Sequence, residues 1–286
     1  MPYFKTLLAG LFLSFCWCAQ LAAEQTSDSA EKVRLQYKFS MGEVLRYRVK
    51  HAADIESTIE GTTQQAETMS ESVKAWKVTD VLPNGEMEFV HVVENVRMTN
   101  RVPNRATAEY DSQKDETPPP GFEQTARAVG VPLSVNRIKP NGEIVSREMK
   151  HPQPETTDDL PITLRLPDAP IAVGDEWDER FDVVIDNKPI RTRRLCTLES
   201  VQNGIAKIHV DYQVLTPISP RIESQLIERM SKGTVRFDIA KGRIASQQHD
   251  VDRRLLGFSG DTSVMHFVSR LEERLLNGNE RVAERP

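Results

Sequence analysis

Apolar and polar positions alternate with period two along most of the chain. Leu45, Tyr47 and Val49 alternate with Val44, Arg46 and Arg48, and Trp177, Phe181, Val183 and Ile185 alternate with Asp178, Arg180, Asp182 and Val184. Asn84-Gly85, Asn141-Gly142, Asn203-Gly204 and Lys241-Gly242 each separate two such runs, where a tight hairpin needs residues that accept positive φ. The pattern predicts a mainly β protein of antiparallel meanders, forming one large curved sheet or half-barrel with a short helical insertion.

Superimposing glycines makes the two halves look like copies. Gly42 leads to Leu45, Tyr47 and Val49 as Gly174 leads to Trp177, Glu179, Phe181 and Val183, with only Glu179 out of pattern. Gly85 leads to Met87, Phe89, His91 and Val93 as Gly204 leads to Ala206, Ile208, Val210 and Tyr212, and Gly142 and Gly242 lead to Ile144 and Ile244. Residues 33–149 are thus read as a first β-repeat and 171–276 as a second. The first carries a polar insertion at 56–72, read as a long hairpin tip, and a proline-bounded segment with a short helix near 122–129. Residues 150–170 hold five of the 17 prolines and predict an extended surface crossover. One sheet is favoured over two separate cores, because each half alone would expose an edge. At the end of the chain the alternation favours a closing strand, then a frayed tail at 277–286.

The first residues follow another pattern. Lys5 is the only charge before an apolar run at 7–19, and small residues at Ala22 and Ala23 precede Glu24. This reads as a signal peptide over 1–23, with export to the periplasm or exterior after cleavage near Ala23; the alternative is an uncleaved anchor. Residues 24–32 are polar and unpatterned, a disordered lead-in. Cleavage removes Cys16 and Cys18 and leaves only Cys196, so no intramolecular disulfide can form.

With 37 Lys plus Arg against 42 Asp plus Glu and a net charge of −5, the chain lacks the basic balance of a nucleic-acid binder. No membrane span is expected in the mature chain. The six histidines show no metal-binding spacing, and His91 reads as a satisfied core histidine. Gly257-Phe258-Ser259-Gly260 lacks the spacing of a nucleophile elbow and reads as a turn. Cys196 reads as a small buried hydrophobe and Asp158-Asp159 as a solvated loop. Arg191, Arg193, Arg194, Arg253 and Arg254 read as paired strand-face charges rather than a basic patch. No catalytic constellation, metal site or cofactor is expected.

F-x-x-G-E-x-L-R-Y-R-V at 39–49, V-x-D-V-L-P-N-G-x-M-E-F at 78–89 and A-E-Y-D-S at 108–112 resemble a family of uncharacterised secreted bacterial proteins classed as a domain of unknown function. The resemblance implies secretion and a β-rich fold. More loosely, a curved sheet with a helical insertion is similar to periplasmic carriers of lipoproteins or lipids, an analogy of fold alone. Two functions follow. One is a non-catalytic binding protein holding an apolar small molecule or lipid on an inner face built from Tyr47, Phe89, Trp177, Phe181 and Tyr212, with Phe122 in a lid. The other is an interaction or scaffold module with a partner protein of the cell envelope; an unrecognised hydrolase is the minor alternative. The discriminating feature is whether the inner face is filled by its own side chains.

Overall fold

A computed structural model describes residues 31–152 and 162–277. The readings of a signal peptide, of most of the lead-in and the tail, and of Asp158-Asp159 lie outside the described residues. The first half contributes β1 (Val44–Ile59), β2 (Thr62–Val81), β3 (Met87–Arg101), β4 (Ala108–Asp111), α1 (Glu123–Ala128), β5 (Pro132–Ile138) and β6 (Ile144–Met149). The second contributes β7 (Glu176–Ile185), β8 (Lys188–Gln202), β9 (Ile205–Val214), α2 (Pro220–Leu226) with a 3-10 turn (Ile227–Arg229), β10 (Lys232–Asp238), β11 (Arg243–Leu256) and β12 (Val264–Leu275).

All twelve strands join one antiparallel sheet that does not close. Its order is β6-β5-β3-β2-β1-β12-β11-β10-β9-β8-β7, with β4 on β3. The chain therefore starts at the centre, builds outward to one edge, re-enters at the other and returns. The expected closing strand is β12, which pairs with β1 from Tyr47 opposite Leu275 to Thr58 opposite Val264. The four expected turns all form; Asn203 and Gly204 both take positive φ (51° and 75°), as a right-twisted two-residue hairpin requires.

Residues 56–72 form the far end of the long β1–β2 hairpin. β1 and β2 run straight through them and turn only at Glu60-Gly61, again with two positive φ values (50° and 77°). The alternation was hidden there because the inner positions are small or polar, as at Ser57, Gln64, Ser70 and Ser72.

One apolar cluster contains Ile138 and Ile144 beside one edge and Trp177 at the other, so the sheet curls around what fills it. The filling is two irregular segments, carrying Leu35, Tyr37 and Phe39 and then Leu164 and Leu166, all buried. Val33 bridges to Ile171, and the Tyr37 hydroxyl donates to the Leu164 carbonyl (3.2 Å) and accepts from the Leu164 amide (3.1 Å). The Tyr37, Lys38 and Leu166 amides donate to the Pro140, Gly242 and Asn141 carbonyls, so each segment is tied to hairpin turns. This corrects the expected surface crossover: its last part lies in the core, because a curled sheet leaves an interior that only other parts of the chain can fill.

α2 was not anticipated, although Ser219 accepts from the Ile222 amide as N-cap, with Pro220 beside it. α1 and α2 follow the β3–β4 unit and β9 respectively, one helix in each half.

Candidate functional site: an inner bay between two apolar walls

Pairing register sorts the inner face into rows. In the lowest, Leu45 faces Trp76, and Trp76 stacks on Phe89 with ring centroids 4.7 Å apart. In the next, Tyr47 lies between Lys74 and Leu275. Tyr47 and Phe89 are both 0 % exposed, enclosed by Trp76 and Phe39. These rows are core.

Above them the inner face opens. Met98, Ser70, His51, Leu271 and His249 stand side by side across β3, β2, β1, β12 and β11, and each keeps partial exposure. A wall of Val96, Tyr110 and Phe122, packed by Met98 and Ala126, rises on one side. Ile227, Val251, Leu255 and Phe267, packed by Ala53 and Ile55, rise on the other. Between the walls β2 carries only Ser72, Ser70, Thr68 and Ala66 on this face. These small side chains are partly exposed, and with the row beside them they form a shallow bay between the two buried clusters.

The floor of the bay is charged. Lys74 Nζ lies 2.7 Å from Glu273 Oε2, which also accepts from Gln247 Nε2 (3.1 Å). The ammonium sits 5.3 Å and 5.2 Å from the ring centroids of Tyr47 and Trp76, a cation–π arrangement that further compensates its burial. Burial, with the charges of Lys74 and Arg147, lowers the His91 pKa to about 3, and burial with Arg194 lowers that of His249 to about 4. His91 is a core histidine, but its Nε2 has no hydrogen-bond partner among the described residues, nor has Nδ1 of His249. Both rings are neutral near pH 7. The Cys196 thiol is pushed up to about 12, chiefly by burial, and packs as a hydrophobe.

The six residues expected to bind ligand fall in three places. Tyr47 and Phe89 lie under the bay, with the half-buried Trp177 at the margin of the same core, its Nε1 donating to the Arg165 carbonyl (2.8 Å). Phe122 is in a wall, stacked on Tyr110 with centroids 6.1 Å apart, and so is packed down rather than a free lid. Phe181 and Tyr212 meet edge to face (6.3 Å) in the region of Val183 and Leu226. Sequence reasoning missed Lys74, Glu273, His51, Ser70 and Leu271. A charge at an inward position was legible at Lys74; that β12 would bring Glu273 to it was not. Of the expected paired arginines, Arg194 points inward and pairs with Glu179, Arg191 meets Asp182 (3.8 Å) and Arg253 meets Glu223 (3.5 Å).

No family model matches the chain, and no curated protein matches it. Among solved structures it is similar to lipovitellin in a study of lipid–protein interactions, at 12% identity over 87% of this chain and 27% of that one, with a TM-score of 0.48. The chain thus spans about a quarter of that protein's length. A DUF1329 family protein from Desulfovibrio piger matches at 10% identity over 81% of this chain and 86% of that one, with a TM-score of 0.16. A Vibrio parahaemolyticus domain provisionally assigned to outer membrane lipoprotein sorting matches at 7% over 82% and 88%, with a TM-score of 0.17. At these scores no ligand is carried over from the neighbours.

Proposed function

We propose that the chain is a non-catalytic binding protein of the bacterial envelope that holds an apolar molecule, such as a lipid chain, in the inner bay. The observation that carries the reading is the partial exposure of Met98, Ser70, His51, Leu271 and His249 side by side on the inner face, between two apolar clusters and beside a strip of small side chains on β2. Export rests on the residue pattern at 1–23. The ligand would contact the partly exposed Met98, Ser70, His51 and Leu271 rather than Tyr47, Phe89, Phe122 or Phe267, which are already enclosed. The matched turns of the two halves support an internal duplication.

The test is uptake of a hydrophobic fluorophore such as 1-N-phenylnaphthylamine by residues 24–286, with Ser70→Trp placing an indole in the strip. Wild type should bind, and Ser70→Trp should bind at least about tenfold more weakly while melting within a few degrees of it. Undiminished binding by the variant would refute the bay as the site, and no uptake by wild type would refute the apolar-ligand reading.

A further inference from the structure

On the outer face, the register of five neighbouring strands lines up four cations in one row. Arg48 on β1 is opposite Arg274 on β12, Arg274 is opposite Ser246 on β11, Ser246 is opposite Arg236 on β10, and Arg236 is opposite Lys207 on β9. The row crosses four strand spacings, about 19 Å, and runs over the seam between the two halves. Arg48 beside Arg274 and Arg236 beside Lys207 are like charges directly opposite each other, an arrangement that destabilises a sheet. Strand alternation on β10 puts Phe237 in the core and Arg236 exposed on the outer face, and a bulge at Ala245 on β11 lets Ser246 stay opposite Arg236 while Ile244 faces Phe237.

These side chains line a depression of about 690 Å³, to which Lys50 adds a fifth cation. The acids on it are Glu272 and Glu273, and Glu273 is committed to Lys74 on the inner side. At the ends of the row Arg48 has Glu71 at 3.4 Å and Lys207 has Glu199 at 2.8 Å. Arg236, in the interior of the row, forms no ion pair among the described residues. A chain of net charge −5 thus gathers five cations around one hollow, where Lys50 stands opposite Glu272.

We propose that this hollow binds a ligand carrying two or more phosphate-type anionic groups in line, one engaged by Arg48 and Arg274 and another by Arg236 and Lys207. The guanidinium forks suit phosphate oxygens, and an anion between each pair turns repulsion into attraction. The site is separate from the inner bay and stands whether or not the bay holds an apolar molecule.

The experiment measures melting temperature and binding of residues 24–286 with sodium phosphate, linear polyphosphate and vesicles of phosphatidylglycerol or phosphatidylcholine, at low and high salt. Polyphosphate should bind at least about tenfold tighter than monophosphate and raise the melting temperature, with both effects weakened by salt. Arg48→Gln/Arg236→Gln should abolish them. Arg236→Gln alone, without ligand, should melt no lower than wild type, because it removes a like-charge contact. Co-sedimentation with phosphatidylglycerol vesicles alone, lost in the double variant and without a polyphosphate response, would place the phosphates on lipid headgroups. No response to either probe, or responses unchanged in the double variant, would overturn the proposal.

Discussion

Each half of the sheet buries a cation at the same offset, and the two are neutralised differently. Lys74 stands two residues before Trp76, which faces Leu45; Arg194 stands two residues before Cys196, which faces Trp177. Across the strand pair Lys74 meets Tyr47, whereas Arg194 meets Glu179. The second half therefore keeps its counterion on the adjoining strand, and Arg194 also donates to the Thr163 carbonyl (2.8 Å) and the Tyr212 hydroxyl (3.2 Å). Burial opposes the guanidinium charge, but Tyr212 and Glu179 outweigh it and hold the group protonated. Lys74 has no such neighbour and takes Glu273 from β12, a strand with no equivalent in the first half. Glu179, the residue that breaks the match between the halves, is explained by the charge beside it. The lesson is that the first half is electrostatically complete only once the seam between β1 and β12 has formed.

The sharpest way to break this comparison is to remove each anion in turn. Glu273→Gln leaves Lys74 charged at the floor of the bay and should cost about 3–5 kcal/mol in urea denaturation, the range for breaking a buried pair from one side. Glu179→Gln should cost about half as much, because Arg194 retains two other acceptors and Glu179 is partly solvated. Lys74→Met/Glu273→Met should recover most of the loss, as apolar replacements of buried pairs do. Equal losses from the two single variants would mean that the seam has no special electrostatic role.

Much of the fold was legible because hairpin chemistry and alternation are local. The turns at Gly85, Gly142, Gly204 and Gly242 and the inward sets Leu45-Tyr47 and Ala206-Ile208-Val210 follow from neighbouring residues. The interior segments were not legible. Leu35-Tyr37-Phe39 alternates like a strand, yet it donates to the Pro140 and Gly242 carbonyls at two separate turns, a pairing that arises only after the sheet has curled. The bay was misread for a related reason. Alternation puts large aromatics such as Tyr47 and Phe89 on the inner face, where they build the core, whereas the partly exposed bay lies where side chains are small. Nothing local at Ser70 or Ser72 marks their partial exposure; it depends on which residues the pairing of β1, β2, β3 and β12 brings beside them.

A smaller effect separates the halves by pH. Each half has a histidine whose charge is suppressed chiefly by burial and further by a cation, Lys74 with Arg147 for His91 and Arg194 for His249. Both rings have folded pKa values below the unfolded value of about 6.5, so as pH falls from 6.5 the unfolded chain takes up the proton first. The stabilisation from the neutral rings is complete above about pH 6.5 and is lost as pH falls towards about 4 for His249 and about 3 for His91. At pH 5 each should have lost about 2 kcal/mol relative to pH 7.5. His91→Gln and His249→Gln should each flatten the stability profile between pH 6.5 and 5, above the range in which carboxylates titrate. A profile unchanged by either substitution would show that the fold does not hold the rings neutral.

The smallest test asks whether the two halves are equivalent where their geometry agrees best. The Gly42 amide donates to the Val78 carbonyl and the Val78 amide to the Glu43 carbonyl; the Gly174 amide donates to the Leu198 carbonyl and the Leu198 amide to the Asp175 carbonyl. The next carboxylate repeats the match, Glu43 accepting from the Ser40 amide (3.1 Å) and Asp175 from the Ala172 amide (2.9 Å). Both glycines take positive φ, 77° and 95°, and a Cβ on either would meet nothing within 4 Å. Alanine at each corner should therefore cost only the backbone penalty, about 1–2 kcal/mol, with Gly174→Ala the larger because its φ lies further from the left-handed minimum. Glu43 has one tie that Asp175 lacks, an ion pair with Arg243 on β11, which connects the first corner to the second half. If Gly42→Ala proves clearly costlier than Gly174→Ala, that tie is the reason, and Arg243→Gln should bring the two costs together. If it does not, the corners are not equivalent, and the agreement of their hydrogen bonds reflects a shared way of ending a strand rather than a shared origin.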